Sequence, residues 1–570
     1  MLRSYWEQSK DLYTEKQKKQ LVLLFIVMVF GALLEAVGVS AIVPFITIIT
    51  RDDYPASSRV LGRLYALSGA SSPDRFALIC ILVLIGIYLL KAVYLYFEYS
   101  LQARFISCCK KETQGRLIRS LLSRPYTYFL DKNSAEIQKV LVTDLNKVFQ
   151  VQQLLLLMFT ELIISILVMI ALFFIDPVMS LCVLLIVSAT VAWISFRLRP
   201  KLHDAGDIVI RSEKKRSRWI TQGLAGIKEV KHLHAEAFIA EQVCSTEAEI
   251  CRGEQVQKKL SNIPRVLIEA VCVCGMLLVL AVMMLSGRSL SSLLPAVSAF
   301  AMAAVKLLPG ANRVTTAGAA AVYNLPALEH VTAILRGDDP GPEETLRGYT
   351  ILPQKEDCGD VVFSHVTFGY PGSEGNVLED VSLHIRRGEM VGVIGTSGAG
   401  KTTFADLMMG LLSPRSGEVK VCGSIGYIPQ DLFMLDDTVR ANVAFGVPAE
   451  GVSDEKVWRC LEEAQLADHL RRIGSGLETE VGERGIRLSG GQVQRIGIAR
   501  ALYRDPDILV FDEATSSLDP ETEAAVIEAV SCMHGRRTIV IISHKYGILA
   551  DCDTVYRVRD GRVECVRPEA

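Results

Sequence analysis

Eight consecutive residues, Gly395-Thr396-Ser397-Gly398-Ala399-Gly400-Lys401-Thr402, fit the pattern GxxxxGK[ST]. That pattern does phosphate chemistry. Its glycines let the backbone fold around phosphate oxygens, and successive backbone N–H groups point at the anion. The Lys401 ammonium is placed for the β- and γ-phosphates of a nucleoside triphosphate, the Thr402 hydroxyl for Mg²⁺, and Thr403 follows in the same turn. Further along, Ile508-Leu509-Val510-Phe511-Asp512-Glu513 is an apolar run ending in two carboxylates. In phosphoryl transfer the first, Asp512, supports Mg²⁺, and the second, Glu513, polarises the attacking water. Either element alone has a plain structural reading. A phosphate-loop pattern arises by chance, and paired carboxylates sit at many strand ends.

These residues need elements to hold them. The loop requires a strand before it and a helix behind it. Met390 to Ile394 is apolar enough for the strand, and Phe404 and Leu407 fit the buried face of the helix. The carboxylates end a second apolar strand. Residues from about 358 onward therefore read as an α/β domain of ordinary composition.

Just upstream of the carboxylate strand stands Leu488-Ser489-Gly490-Gly491-Gln492. A serine and two glycines opening a helix bring backbone close to phosphate. A generic helix cap would not explain its place before that strand. With this element the sequence resembles the ATP-binding cassette (ABC) family, whose signature motif it matches. The resemblance covers about 358 to 565 and implies further roles. Tyr370, in Phe368-Gly369-Tyr370, matches the aromatic that stacks on adenine. Gln430, ending Tyr427-Ile428-Pro429-Gln430, matches the glutamine that senses Mg²⁺. Ser516-Ser517-Leu518-Asp519 matches the D-loop, and His544, in Ile541-Ile542-Ser543-His544, the switch histidine at the γ-phosphate. Thr479 to Gly485 looks like the X-loop of exporters. One departure is visible: only Lys420 to Ser424 separate Gly417-Glu418-Val419 from the strand before Gln430, where exporter cassettes usually carry a longer segment. No catalytic position is lost by it.

In this family each ATP lies between the phosphate loop of one cassette and the signature of another. The chain has one of each, so the resemblance implies a dimer. With both half-sites intact, a homodimer is expected; a heterodimer would need a partner that the sequence does not reveal. ATP and Mg²⁺ are the implied cofactors.

The first half of the chain is different. Half of all residues are hydrophobic, and the excess lies before about residue 325. Crossing a bilayer takes about 20 apolar residues. Six runs qualify, at roughly 21–48, 77–98, 152–175, 178–198, 264–286 and 290–312. The last contains Pro295 and Pro309, tolerated where neighbouring helices satisfy freed backbone groups. The long links at 101–150 and 197–260 are rich in Lys and Arg, and the short links near Asp176 and Arg288 are not. The positive-inside rule then puts both termini and both long loops in the cytoplasm, with those loops as helical extensions of the spans. The expected fold is a six-helix α-helical membrane domain plus an α/β P-loop cassette. The expected boundaries are 1–325 for the membrane domain, 326–357 for the linker and 358–570 for the cassette. Arg336-Gly337-Asp338-Asp339-Pro340-Gly341-Pro342 breaks helices and marks the link. The apolar run from Leu21 is too long for a signal peptide and reads as the first span. The formal net charge of −2 says nothing about partners, and no nucleic acid is expected. The 14 cysteines show no zinc spacing and read as small apolar residues.

Basic residues stand where lipid disfavours them: Lys91 in the second run, Arg265 opening the fifth, Lys306 in the sixth and Arg313 just after it. A charge at a helix centre costs about 2.5–3.5 kcal/mol on insertion scales, so such residues are functional candidates. Snorkelling, or pairing with Glu35 or Glu161, is the plain alternative for Lys91. Together they fit a cavity for a phosphate or pyrophosphate group. Three stretches, Glu35 to Ile46, Pro264 to Glu269 and Lys306 to Arg313, resemble the flippases of bacterial N-glycosylation. That resemblance implies a polyprenyl-diphosphate-linked oligosaccharide as cargo, a bacterial inner membrane as location, and an outer segment at 51–75 against the polyprenyl tail. Lysine at 91 and 306 departs from the arginine expected there. A general lipid, drug or peptide exporter, and a nucleotide-gated regulatory protein, are the competing expectations. The intact Glu513 and His544 speak against the last.

Overall fold

The computed structural model describes residues 2–50, 73–175, 177–285, 290–337, 349–352, 359–373, 375–482, 485–514, 520–543, 549 and 551–566. The chain divides into two units, Met1–Arg124 with Phe129–Pro340, and Pro125–Tyr128 with Gly341–Ala570. His544, Ser516 to Asp519, Glu483, Arg484 and the segment 51–72 lie outside the described residues.

The first unit is helical. Its elements are α1 (Leu2–Ser9), α2 (Glu15–Thr50), α3 (Pro73–Leu122), α4 (Tyr126–Asp131), α5 (Ser134–Lys139), α6 (Leu145–Ile175), α7 (Pro177–Ala225), α8 (Ile227–His232), α9 (Glu236–Leu285), α10 (Leu290–Tyr323) and α11 (Leu325–Arg336). Of these, α4 straddles the division. The six apolar runs read from the sequence fall on α2, α3, α6, α7, α9 and α10. Four described stretches are long and apolar enough to cross a membrane: Glu15–Ala36, Leu78–Leu122, Ser134–Phe174 and Ser180–Ala225. The helices outrun the apolar runs because the charged loops continue them. Hydropathy marks the lipid-compatible part of a helix, whereas backbone hydrogen bonding carries the helix on into water. Ala32, Ile164, Val168, Leu172 and Val183 form a core among the helices. On α3, Leu82, Leu89, Leu90 and Val93 point outward and stay exposed, the pattern of a surface solvated by lipid. Pro200 and Pro264 lie inside α7 and α9.

A helix also occupies 325–336, the first part of the stretch read as linker. Leu325, Leu328, Val331 and Ile334 recur at helical spacing and are buried, and Gly337 ends the helix in the left-handed conformation with φ +84°.

The second unit carries two sheets. Its strands are β1 (Tyr349–Leu352), β2 (Val361–Phe368), β3 (Leu378–Ile385), β4 (Met390–Gly395), β5 (Ser416–Cys422), β6 (Ile425–Ile428), β7 (Ile508–Asp512), β8 (Thr538–Ile542), β9 (Thr554–Arg559) and β10 (Arg562–Val566). The order is β1-β5-β2-β3 in one sheet and β10-β9-β4-β8-β7-β6 in the other. In the larger sheet β9, β4, β8, β7 and β6 run parallel. Strands β4, β7 and β8 are buried on both faces, which is why their sequences are apolar without alternation. Val391, Val393, Val510 and Val540 face one core with Phe404 and Leu407. Met390, Leu509, Phe511 and Ile541 face the other with Ile496 and Leu502.

The shortened segment before Gln430 has a simple structural form. Strand β5 ends at Cys422 and β6 begins at Ile425, so two residues carry the chain from one sheet to the other. Ser424 anchors the crossing by donating from its backbone N–H and its hydroxyl to Asp507 Oδ2, at 2.8 and 2.9 Å. Cys422 is disulfide-bonded, so the reading of every cysteine as a free apolar residue fails there. Twelve other described cysteines are free.

Candidate functional site

Parallel register gathers the candidate residues at one edge of the larger sheet. Val393 of β4 pairs with Ile542 of β8, Asp512 of β7 with the same Ile542, and Phe511 with Ile428 of β6. The carboxyl ends of the four strands therefore lead together into the phosphate loop, Ser543, Glu513 and Gln430. In an open parallel sheet this edge is where ligands bind.

The loop leaves β4 at Gly395 and enters helix α12 (Lys401–Met408). Gly400 has φ +103°, and a side chain there would meet Val377 and Leu378 at 3.1 and 3.3 Å, so only glycine closes the turn without strain. Lys401 is buried. Its Nζ donates to the carbonyls of Gly395 and Thr396 at 3.0 and 3.2 Å, which folds the ammonium over the loop. The same Nζ lies 3.7 Å from Glu513 Oε1.

Glu513 has φ +48°, a left-handed conformation that a non-glycine residue adopts at some cost, and such residues cluster at functional sites. Its backbone N–H donates to Ile542 O at 2.9 Å, so the kink hangs from the neighbouring strand. Asp512 is buried, and burial, with the adjacent Glu513, raises its carboxyl above the usual range against the pull of Tyr427 and Lys401. Tyr427 Oη donates to Asp512 Oδ2 at 3.2 Å. Asp406, on α12, is pushed up to about 6 by burial and by Asp512.

Tyr370 is held at the same edge. Its hydroxyl lies 3.1 Å from Thr403 Oγ1, and its ring meets Phe368 edge-on at 5.2 Å. Arg415 fixes the turn by donating to the carbonyls of Tyr370 and Ser373 at 3.1 and 3.0 Å.

The signature residues are placed at the start of α16 (Gly490–Tyr503), with helices α13 (Val439–Val443), α14 (Asp454–Glu463) and α15 (Ala467–Ile473) before it in the chain. Ser489 caps α16. Its Oγ accepts from Gln492 N–H at 3.4 Å, and Gln492 Oε1 accepts from Ser489 N–H at 2.9 Å. Gln492 Nε2 lies 2.7 Å from His469 Nε2. The capping box thus orders the helix start that carries the signature residues.

A cavity of about 690 Å³ adjoins the phosphate loop, lined by Asn376, Val377, Ser397, Gly398, Arg557 and Arg559 among others. Lys401, Asp512 and Glu513 do not line it, so this cavity lies beside the chemistry rather than at it.

In the first unit Lys91 and Glu35 form an ion pair at 2.8 Å, both with side chains 10% exposed. Arg313 pairs with Glu161. Arg265 is exposed on α9. Lys306 lies on α10, with its side chain outside the described residues.

The ABC transporter model matches residues 378–516, and the model of the ABC transporter transmembrane region matches residues 40–303. The chain belongs to the ABC transporter family. ATP binding and hydrolysis are the activities of its cassette. The chain is 37% identical over 219 residues to the uncharacterised ABC transporter ATP-binding protein YwjA of Bacillus subtilis, covering 36% of this chain and 38% of that one. It is 38% identical over 226 residues to an ATP-dependent lipid A-core flippase of Cupriavidus metallidurans, covering 37% and 38%. The chain thus spans less than two fifths of the length of these relatives. A lipid A-core flippase of Ralstonia nicotianae is 25% identical over 463 residues, 79% of this chain and 77% of that one. Among solved structures, a bacterial Atm1-family ABC exporter with ATP bound shares the fold, with a TM-score of 0.80, 20% identity, and coverage of 96% and 94%. The exporter half-transporter architecture, a helical membrane region fused to an α/β cassette, is that of this chain.

Two polar residues of the site were not singled out in the sequence. Tyr427 was visible only as a strand residue before Gln430, and Asp406 only as a helix residue after the loop. Their nearness to Asp512 depends on the β6–β7 pairing and on α12 folding back over the sheet, neither of which local sequence states.

Proposed function

We propose that the chain is an ATP-driven exporter that flips a polyprenyl-diphosphate-linked oligosaccharide from the inner to the outer leaflet of a bacterial inner membrane. The carrying observation is the buried Lys91 on the apolar helix α3, with Arg265 on α9 and Lys306 and Arg313 on α10. The likeness to a lipid A-core flippase over 79% of this chain supports a lipid cargo. A pyrophosphate offers more negative charge than one carboxylate and competes for these cations.

Lys401 moves from the loop carbonyls to the β- and γ-phosphates when ATP enters. Tyr370 stacks on adenine, and the N–H groups from Gly395 to Thr403 cradle the phosphates. Thr402, Gln430 and Asp512 offer a hydroxyl, an amide and a carboxylate, an all-oxygen set that suits Mg²⁺, which neutralises phosphate charge. Glu513 orients the attacking water, and His544 answers to the γ-phosphate. Ser489, Gly490, Gly491 and Gln492 of a second copy close each site, so the working unit is a homodimer. Both termini lie in the cytoplasm, where ATP is.

The ion pairs favour one second reading. With Lys91 and Arg313 already matched by Glu35 and Glu161, the bundle also suits a lipid with little negative charge, as a general lipid exporter would carry.

The test is reconstitution in liposomes with a fluorescent polyprenyl-diphosphate oligosaccharide. ATP-dependent movement that disappears in Glu513→Gln is expected, together with a loss of hydrolysis of about 10²–10⁴-fold. Undiminished hydrolysis without movement of this probe would sink the oligosaccharide reading and leave the general lipid exporter.

A further inference from the structure

Five ionisable side chains from three separate segments meet in the first unit, away from the apolar runs. Lys139 ends α5, and its Nζ donates to both oxygens of Asp144, at 2.9 and 3.1 Å. Glu213, on α7, lies 3.7 Å from the same Nζ and accepts from Lys147 at 2.6 Å. His330, on α11, places Nδ1 3.4 Å from Asp144 Oδ2. The side chains of Lys139 and Asp144 are 3% and 0% exposed.

Removing charges from water is costly, and an apolar pair of similar size is often equally stable or more so. Stability alone therefore does not account for this cluster. Its position does. Asp144 and Lys147 belong to the first long loop, Glu213 to the second, and His330 to α11, the last helix before the cassette in sequence. From the cluster, α6 runs unbroken into the apolar run at 152–175. A helix rises about 1.5 Å per residue, so a shift at Asp144 reaches the start of that run across about 12 Å of rigid rod. Between Lys139 and α6, residues Val140–Asp144 form a π-helical turn. Such turns concentrate at functional sites, and one wider turn lets a helix change register without breaking.

We propose that the Lys139–Asp144–Glu213 cluster is the positioning junction through which nucleotide-driven movement enters the membrane bundle, with the π-turn as its hinge. These residues touch no reacting atom. They hold α5, α6, α7 and α11 in one arrangement that must shift as a unit.

The test uses the full chain in lipid nanodiscs with spin labels at the outward-facing Leu89 and Leu277. Pulsed electron resonance compares the label distances without nucleotide and after trapping with ATP and vanadate. The parent chain is expected to shift. Asp144→Asn is expected to keep its KM for ATP and lose about tenfold of the shifted population, within the usual range of coupling between sites. Asp144→Glu is expected to restore it. The double variant Lys139→Met/Asp144→Leu separates positioning from glue. With its melting temperature kept, it is expected to hydrolyse ATP without the shift. A retained shift overturns the proposal, and so does joint loss of shift and hydrolysis in that folded variant, which would assign the cluster to the nucleotide site. The proposal rests on ATP-driven export and not on the cargo. Absence of a shift in the parent counts against export itself, whereas a shift present in the parent and kept in the variants counts against the junction.

Discussion

Tyr427 donates its phenol hydrogen to Asp512 Oδ2 at 3.2 Å, joining the strand before Gln430 to the strand that leads into Asp512 and Glu513. Because Asp512 is buried, this bond to a charged acceptor is worth about 1.5–3 kcal/mol. Tyr427→Phe removes it and lets burial raise the Asp512 carboxyl further. The expected result is weaker Mg²⁺ binding: a magnesium titration of ATPase should need several-fold more metal in the variant. An unchanged titration would show that the bond does not tune the site.

Asp406 gives the clearest pH dependence. Its folded value, about 6, lies above the ordinary 3.8 because of burial and the neighbouring Asp512. A raised folded value means that the folded state holds the proton more tightly. That contribution is complete below about pH 4 and is lost as pH rises through about 6. Asp406→Asn cannot ionise, so it should stabilise the cassette by about 2 kcal/mol near pH 7 and by little near pH 4. Thermal unfolding of the full chain at the two pH values decides this. An equal gain at both would point to packing instead.

The Lys91–Glu35 pair should behave as a buried pair. Lys91→Met alone removes the ammonium from the buried Glu35 carboxylate and is expected to cost about 3–5 kcal/mol, whereas Lys91→Met/Glu35→Leu is expected to cost clearly less. Melting in detergent of the two variants side by side measures the difference. Equal losses would mean that the two groups do not depend on each other.

Close packing of α7 on α10 depends on one glycine. A side-chain carbon at Gly206 would come within 2.2 Å of the Tyr323 carbonyl. Backbone cannot yield as a flexible side chain does, so Gly206→Ala should cost about 1–3 kcal/mol. The expected signs are a lower melting temperature and earlier proteolysis of the second long loop. Unaltered melting would show that the helices separate freely there.

Much of the site was legible in the sequence because its chemistry is local. Gly395 to Thr403 must be contiguous to wrap a phosphate, and Ser489 to Gln492 must open one helix. Apolar stretches of bilayer length announce themselves in the same way, since lipid acts on each helix separately. By itself the sequence determined the phosphate loop, the strand ending in Asp512 and Glu513, the signature and the membrane-spanning character of the first half. Only the tertiary structure decided which groups far apart in the chain share an environment. It gave Glu35 to Lys91, Tyr427 and Asp406 to Asp512, and Glu213 and His330 to the Lys139–Asp144 pair. These partnerships follow from helix packing and strand order, which arise from burial summed over the whole fold. No residue's neighbours in sequence encode them.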